Sequence, residues 1–221
     1  MASMSTKLSQ QPFARRFEHL VGVIGGERFL RMRGLNNDLP FYVCEFNPSE
    51  ALEMHRLQRQ LANTLEGLSI GCLGGRGVKV LEINLYDLCI DLLRHREGST
   101  PDANLWDELV SIEDTLEKEG LLELLQNVLS VEDYVVPAIR ERLQQSEFDV
   151  LFLTGIGEVF PYIRSHNVLN NLQSTAKTKP TVMFFPGEYR YTLEQGASLE
   201  LFGLLHDDKY YRAFNIYETQ V

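Results

Sequence analysis

The apolar run from Val150 to Leu153 constrains the fold more than any other feature, because it gives the predicted strand 149–154 apolar side chains on both faces. Such strands are typical of parallel sheets, where helices cover both faces. Helical patterns separate this strand from four others, predicted at 41–46, 78–86, 181–186 and 211–216. Strands that alternate with helices indicate a parallel sheet. We therefore predict a three-layer α/β fold with a mostly parallel sheet of about five strands.

Capping signals mark the starts of several predicted helices. Asn47 can cap a helix that ends at Gly67, Pro48 suits its first position, and Glu50 completes a capping box. Ser130 and Asp133 form a similar pattern. The predicted helices are 11–33 with a break near Gly25-Gly26, 47–67, 88–93, 100–118, 120–129, 130–145, 159–173 and 193–205.

The charges are unevenly distributed along the chain. The segment from Glu97 to Glu147 holds 13 acidic and three basic residues, a net charge of −10 that equals the net charge of the whole chain. Residues 7–33 carry six basic residues against two acidic ones. Each region is either a solvated face or a docking surface for an oppositely charged partner. We expect 13–221 to form one α/β domain, with 97–147 as an acidic helical insertion and 1–12 as a disordered tail.

Composition argues against several classes of protein. A net charge of −10 disfavours nonspecific binding to nucleic acids. Contact with a nucleic acid through the basic residues of the front end, 7–33, is kept as an alternative. No apolar run reaches the roughly 18 residues of a membrane span, and the polar N-terminus lacks a signal-peptide core. Three cysteines, Cys44, Cys72 and Cys89, lack metal or redox spacing. We expect reduced thiols in a cytoplasmic protein that holds no metal or cofactor.

The glycine loop after the strand 149–154 has the outline of a phosphate site. Thr154, Gly155 and Gly157 lie between that strand and a predicted helix with Pro161 in its first turn. A nucleotide triphosphatase also needs a lysine for the phosphates and an aspartate for magnesium, and neither is present here. The fold is thus expected to resemble a P-loop core without its nucleotide machinery. Anion binding by free N–H groups near Gly155 and Gly157 stays open, although Glu158 would oppose it.

Several polar segments are predicted to meet at the carboxyl ends of the strands, where α/β sheets bind ligands. They are Asn47 with Pro48, the loop 154–158, and the turn formed by Pro186, Gly187, Glu188 and Tyr189. On the following helix, Arg164, His166 and Asn167 either grip an anion or tie down neighbouring loops.

The segment 206–214 is also rich in polar and aromatic side chains. His206, Asp207 and Asp208 with Glu188 would suit a metal, although Asp-Asp-Lys before a strand is ordinary turn chemistry. Tyr210, Tyr211 and Arg212 are residue types that interfaces favour.

The C-terminal half resembles a known family. The stretches FLTGIGEVFPYIRSHNVLNNLQ, PTVMFFPGEY and LFGLLHDDKYYRAF are similar to the BrxB family of BREX systems, which protect bacteria from phage. FYVCEFNPSE and KVLEINLYDLCIDLL resemble the family's earlier strands more loosely.

The resemblance implies a non-enzymatic adaptor or scaffold in a multi-protein defence complex. Its implied neighbours are a PglZ-type phosphatase-like protein as the direct partner, a PglX-type DNA methyltransferase and a BrxC-type ATPase. The competing hypothesis is a nucleotide or anion sensor that uses the loop at Gly155 and Gly157.

Overall fold

The computed structural model describes residues 7–33, 40–99, 103–192, 196–202, 205–207 and 213–221. Its strands are β1 Phe41–Phe46, β2 Val80–Asn84, β3 Val150–Thr154, β4 Thr181–Thr192, β5 Gly196–Leu201, β6 Leu205–Asp207 and β7 Phe214–Asn215. The order β2-β3-β4-β1-β7 is parallel throughout. The predicted mostly parallel sheet of about five strands is confirmed.

Two helical layers cover this sheet and confirm the three-layer architecture. The helices are α1 Phe13–Ile24, α2 Glu27–Leu30, α3 Ala51–Glu66, α4 Leu85–His95, α5 Leu105–Ile112, α6 Lys118–Val128, α7 Val136–Gln145 and α8 Ser165–Thr175. Because side chains alternate along a strand, Tyr42 and Cys44 of β1 join the core under α1 and α3. Phe41 and Val43 join the core under α4, α7 and α8.

The predicted cap at Asn47 is present, but the capping box is not. The Asn47 side chain accepts a hydrogen bond from the Ser49 N–H at 3.0 Å, and a short 3₁₀ turn, Pro48–Glu50, leads into α3. Glu50 binds the guanidinium of Arg16 through both carboxylate oxygens, at 2.9 and 3.0 Å. The ion pair with α1 therefore takes the place of the local hydrogen bond that the sequence pattern predicts.

The prediction of a helix at 193–205 is wrong. β4 continues past Pro186, where it leaves the parallel sheet, and its second half pairs antiparallel with β5. β6 then pairs antiparallel with β5. The edge of β4 offers hydrogen-bond partners to the backbone of this segment, and pairing with them replaces the internal hydrogen bonds that a helix would form.

The predicted helix 159–173 starts later than expected. Residues 156–163 form turns that include a cis peptide bond between Phe160 and Pro161, and α8 begins at Ser165. Pro161 is therefore not in the first turn of a helix, and no helix begins directly after the glycine loop.

The acidic middle is helical, as predicted, although its first α-helix already ends at Ile112 and its last begins only at Val136. Asn104 caps α5 by accepting a hydrogen bond from the Asp107 N–H at 2.9 Å. The predicted start at Thr100-Pro101-Asp102 lies outside the described residues. Ser130 accepts from the Asp133 N–H and opens a π-helical turn, Val131–Val135, that leads into α7. In the part of the chain that the structure describes, no helix is long and apolar enough to cross a membrane.

Candidate functional site at the carboxyl edge of the sheet

An open cavity of about 550 Å³ lies at the carboxyl end of β1 and beside the point where β4 leaves the parallel sheet. Among the described residues, its charged lining consists of Lys7, Glu45, Glu50 and Glu188. Glu50 pairs with Arg16 and Glu188 pairs with Arg190, which leaves Glu45 and Lys7, so the lining has no excess of cationic groups to hold an anion. The cavity also contains Asn47, Pro48 and Gly187, so two of the three predicted polar segments meet here.

Glu45 is a buried acid that the sequence analysis did not select. Its side chain is on β1 and its residue is only 3% exposed. Its Oε2 accepts a hydrogen bond from the N–H of Tyr189 at 2.8 Å. Tyr189, itself buried, donates its hydroxyl to the carbonyl of Ala213 at 2.6 Å. These bonds connect β1, the second half of β4 and the segment before β7. The only available sequence signal was a glutamate inside the apolar strand FYVCEF.

Thr154 and Gly155 serve the packing of the strand ends. The Thr154 hydroxyl donates to Glu82 Oε1 on β2 at 2.9 Å. Gly155 has φ +73°, and a Cβ there would collide with the side-chain oxygen of Asn84. That oxygen caps α4 by accepting from the N–H groups of Tyr86 and Asp87. Glycine is needed at this position because the chain passes directly over a helix cap.

Gly157 and Glu158 are also engaged with neighbouring elements. A Cβ at Gly157 would lie 2.9 Å from Pro186 Cγ, so the glycine permits close contact with β4. Glu158 Oε1 lies 3.3 Å from His55 Nε2 on α3. The helix that follows this loop starts only at Ser165, so its N-terminus does not follow Gly155 and Gly157 directly. The nearby N-terminus of α4 is already capped by the Asn84 side chain, which accepts from its N–H groups. The helix start that the sequence predicted directly after the glycine loop is therefore absent.

The turn after the parallel part of β4 is built for strand pairing. A Cβ at Gly187 would collide with the backbone carbonyl of Glu200 on β5. Glu188 accepts hydrogen bonds from Arg190 at 3.0 and 3.2 Å, and Arg190 also lies 3.6 Å from Glu200. These contacts keep the β4–β5 pair in register. Glu188 also borders the cavity beside Lys7.

The three polar residues selected on the next helix lie at its start. Arg164 precedes the first residue of α8 and is exposed, as is Asn167. His166 is partly buried. The backbone carbonyl of Asn167 accepts a hydrogen bond from the Asn171 side chain at 2.8 Å. This short surface is available to a partner through Arg164 and the Asn167 side chain.

The remaining predicted site residues, Asp208, Tyr210, Tyr211 and Arg212, lie outside the described residues. Among those described, no group of three or more His, Cys, Asp or Glu side chains is placed to hold a metal ion.

The basic front end is not a single cationic surface. Arg16 is 1% exposed, and its guanidinium lies between Glu50 and the ring of Phe13, 3.9 Å from the ring centroid. Nearby, the Cys44 thiol donates to the Tyr217 hydroxyl at 3.3 Å. Burial raises the pKa of Cys44 to about 12, so the thiol stays protonated at neutral pH and is a poor nucleophile.

These contacts define a three-layer α/β protein in which glycines and buried polar pairs assemble the carboxyl edge of the sheet. The sequence model of the family described as "BREX protein BrxB" matches residues 81–216. The chain therefore belongs to the BrxB family.

Curated relatives agree with this assignment. A BREX protein BrxB from Bacillus cereus (strain H3081.97) is 30% identical over 208 residues, which cover 91% of this chain and 95% of the relative. Another, from Escherichia coli O9:H4 (strain HS), is 24% identical over 201 residues, covering 91% of this chain and 90% of the relative. No solved structure shows a significant match.

Proposed function

We propose that this chain is a non-enzymatic adaptor in a BREX phage-defence complex, and that it binds the PglZ-type protein of its own system directly. Membership of the BrxB family supports the place in a BREX system. In the sequence, a ligand site is suggested by Gly155, Gly157, Gly187 and Tyr189. In the structure, these residues contact neighbouring elements and hold the strands together. This structural role supports the adaptor function.

The electrostatics of the carboxyl edge favour this role over a nucleotide sensor. Glu50 and Glu188 are paired with Arg16 and Arg190, and Lys7 is accompanied by Glu45, so the cavity has no excess of cationic groups to hold phosphates. Thermal melting with ATP and magnesium separates the two functions. A nucleotide at 100 times its dissociation constant would add about 2.7 kcal/mol to the free energy of unfolding, whereas an adaptor without a nucleotide site melts unchanged.

Light scattering on mixtures separated by size tests the adaptor role directly. The chain is mixed at micromolar concentration with the PglZ-type protein of the same system, and separately with the PglX-type and BrxC-type proteins. A stable complex with the PglZ-type protein, of defined mass, is the expected result. Separate elution from the PglZ-type protein refutes the direct pairing, and separate elution from all three refutes the adaptor role.

Arg164 allows a test in cells. Because its side chain is exposed beside α8, Arg164→Ala is expected to leave the melting temperature unchanged and to weaken phage restriction. Arg59→Ala, an exposed arginine on α3, is the matched control and should restrict phage normally. Full restriction by Arg164→Ala would remove this residue from the interface. The companion change Tyr211→Ala carries the same expectation from sequence alone.

A further inference from the structure

Helix α6 has an apolar side without a complete cover. Its sequence, KEGLLELLQNV, places Leu121, Leu125 and Val128 on one side of the helix at helical spacing, yet none of its residues is buried. The neighbouring α5 buries Leu109 alone, while Val110 is 53% exposed. Amphipathic helices that pack fully against a protein core rarely leave this much apolar surface uncovered. Such a surface is typical of an interaction site.

The uncovered surfaces of α4, α5 and α6 face one another across a groove. The space between them is about 190 Å³ and is lined mainly by apolar side chains. Its buried floor includes Leu93, Leu109 and Leu129, and Tyr86, Trp106 and Leu125 border it. An aliphatic and aromatic cavity of about 150 Å³ holds a benzene ring. The groove therefore has room for one bulky apolar side chain.

The surroundings of the groove are strongly acidic. Residues 105–123 contain seven carboxylates and one lysine, a net charge of −6. Glu113 lines the groove itself. Glu113, Glu117 and Glu123 are exposed, and none of them forms an ion pair with another described residue. The guanidinium of Arg94 lies over the ring of Trp106, 5.3 Å from the ring centroid.

We propose that the groove between α4, α5 and α6 docks a segment of another protein that carries one bulky apolar anchor flanked by lysines or arginines. The apolar floor accounts for the anchor, and the unpaired carboxylates account for the flanking charges, which would also steer the encounter. An anionic lipid surface is disfavoured by the same carboxylates. The inference rests on the proposed adaptor function and names the surface and the partner chemistry.

Binding affinities of groove variants test this docking site. The probes are the purified PglZ-type, PglX-type and BrxC-type proteins of the same system, titrated calorimetrically with the full chain. For a protein that binds the wild type, Val110→Asp and Leu125→Asp are each expected to weaken binding at least tenfold. Leu52→Asp, which changes an equally apolar and 71% exposed residue on α3, is the matched control and should change affinity less than twofold.

Charge is tested separately from apolar contact. In titrations at low and high salt, Glu113→Gln is expected to weaken binding severalfold at low salt and to reduce the salt dependence of the affinity. Because Leu125 is partly buried, thermal melting of each variant accompanies the titrations. Val110→Asp carries the test if Leu125→Asp is unstable.

The outcomes separate this proposal from the adaptor function. Unchanged affinity in Val110→Asp, Leu125→Asp and Glu113→Gln would overturn the docking site and leave the adaptor role intact. Absence of binding to all three probes would overturn both. A wild-type dimer that Val110→Asp converts to monomer would also overturn the proposal, because the occupant would then be a second copy of this chain.

Discussion

The helical layers on the two faces of the sheet use leucine differently. On α3, Leu57, Leu61 and Leu65 are at most 5% exposed, because that helix packs against both the sheet and its neighbour α1. On α6, the leucines stay partly exposed, because that helix borders a groove with α4 and α5. Similar amphipathic patterns thus give a fully buried apolar side on α3 and a partly exposed apolar side on α6. The pattern specifies which side is apolar, but packing decides whether the side is covered.

Truncation of one leucine in each layer gives the largest expected contrast. Leu61→Ala should lower the free energy of unfolding by about 2–5 kcal/mol, the range for a fully buried leucine. Leu125→Ala should cost below about 1 kcal/mol, because water already reaches that side chain. Urea unfolding of both variants measures the difference. Equal losses would show that α6 is as well packed as α3.

One ion pair from each layer offers a second contrast. Glu50→Gln leaves the buried guanidinium of Arg16 without its carboxylate and should cost about 3 kcal/mol, the lower end for breaking a buried pair. Asp91→Asn removes the pair with Arg142, in which both side chains are more than a third exposed, and should cost at most about 1 kcal/mol. Chemical denaturation compares the two variants. A larger loss in Asp91→Asn would contradict the proposed difference between the layers.

The stability of the fold at acid pH should depend more on Asp149, a carboxylate next to β3, than on the carboxylates of the acidic helices. Burial alone would raise the pKa of Asp149, but hydrogen bonds from Arg76 and from the Lys79 N–H outweigh it and lower that pKa. Because the folded pKa is below the unfolded value of about 3.9, the ionised group stabilises the fold above about pH 4. This contribution is lost as pH falls through the folded value.

Unfolding at a series of pH values checks this prediction. Asp149→Asn should be less stable than the wild type at neutral pH and should lose less stability between about pH 5 and 2. Glu123→Gln, from the exposed face of α6, is the control and should follow the wild-type curve. Identical acid profiles of the wild type and Asp149→Asn would rule out this contribution.

The smallest expected effect on stability is at the groove itself. Val110→Ser should change the free energy of unfolding by less than about 0.5 kcal/mol, since the side chain is half exposed. Thermal melting of the isolated chain measures it. A large loss would mean that Val110 completes the core and is not kept apolar for a partner.

Local patterns were sufficient for the parallel sheet. The strands predicted at 41–46, 149–154 and 181–186 match β1, β3 and the parallel part of β4 to within one residue, and Asn47 caps as its position suggested. The segment 193–205 was wrongly predicted to be a helix, because short apolar runs fit either period. Its strand form depends on β4 extending beyond Pro186 to offer an edge.

The candidate site was less predictable than the fold. Two of the three polar segments predicted to meet at the carboxyl edge border the cavity there. The selected glycines Gly155, Gly157 and Gly187 are packing residues. Glu45 and the buried Arg16 were missed, because burial of a charged side chain depends on a partner distant in sequence. Glu50 is 34 residues from Arg16, and Tyr189 is 144 residues from Glu45.

The sequence by itself determined the class of fold, the family, the cap at Asn47 and the helical nature of the acidic middle, because each depends on neighbours within a few residues or on a motif. Tertiary structure alone decided that β4 leaves the parallel sheet, that Gly155 lies against a helix cap, and that α6 borders an open groove. The physical reason is that each of these features depends on which surfaces of the protein come into contact. Residues far apart in the chain compete with local conformational preferences for every buried contact.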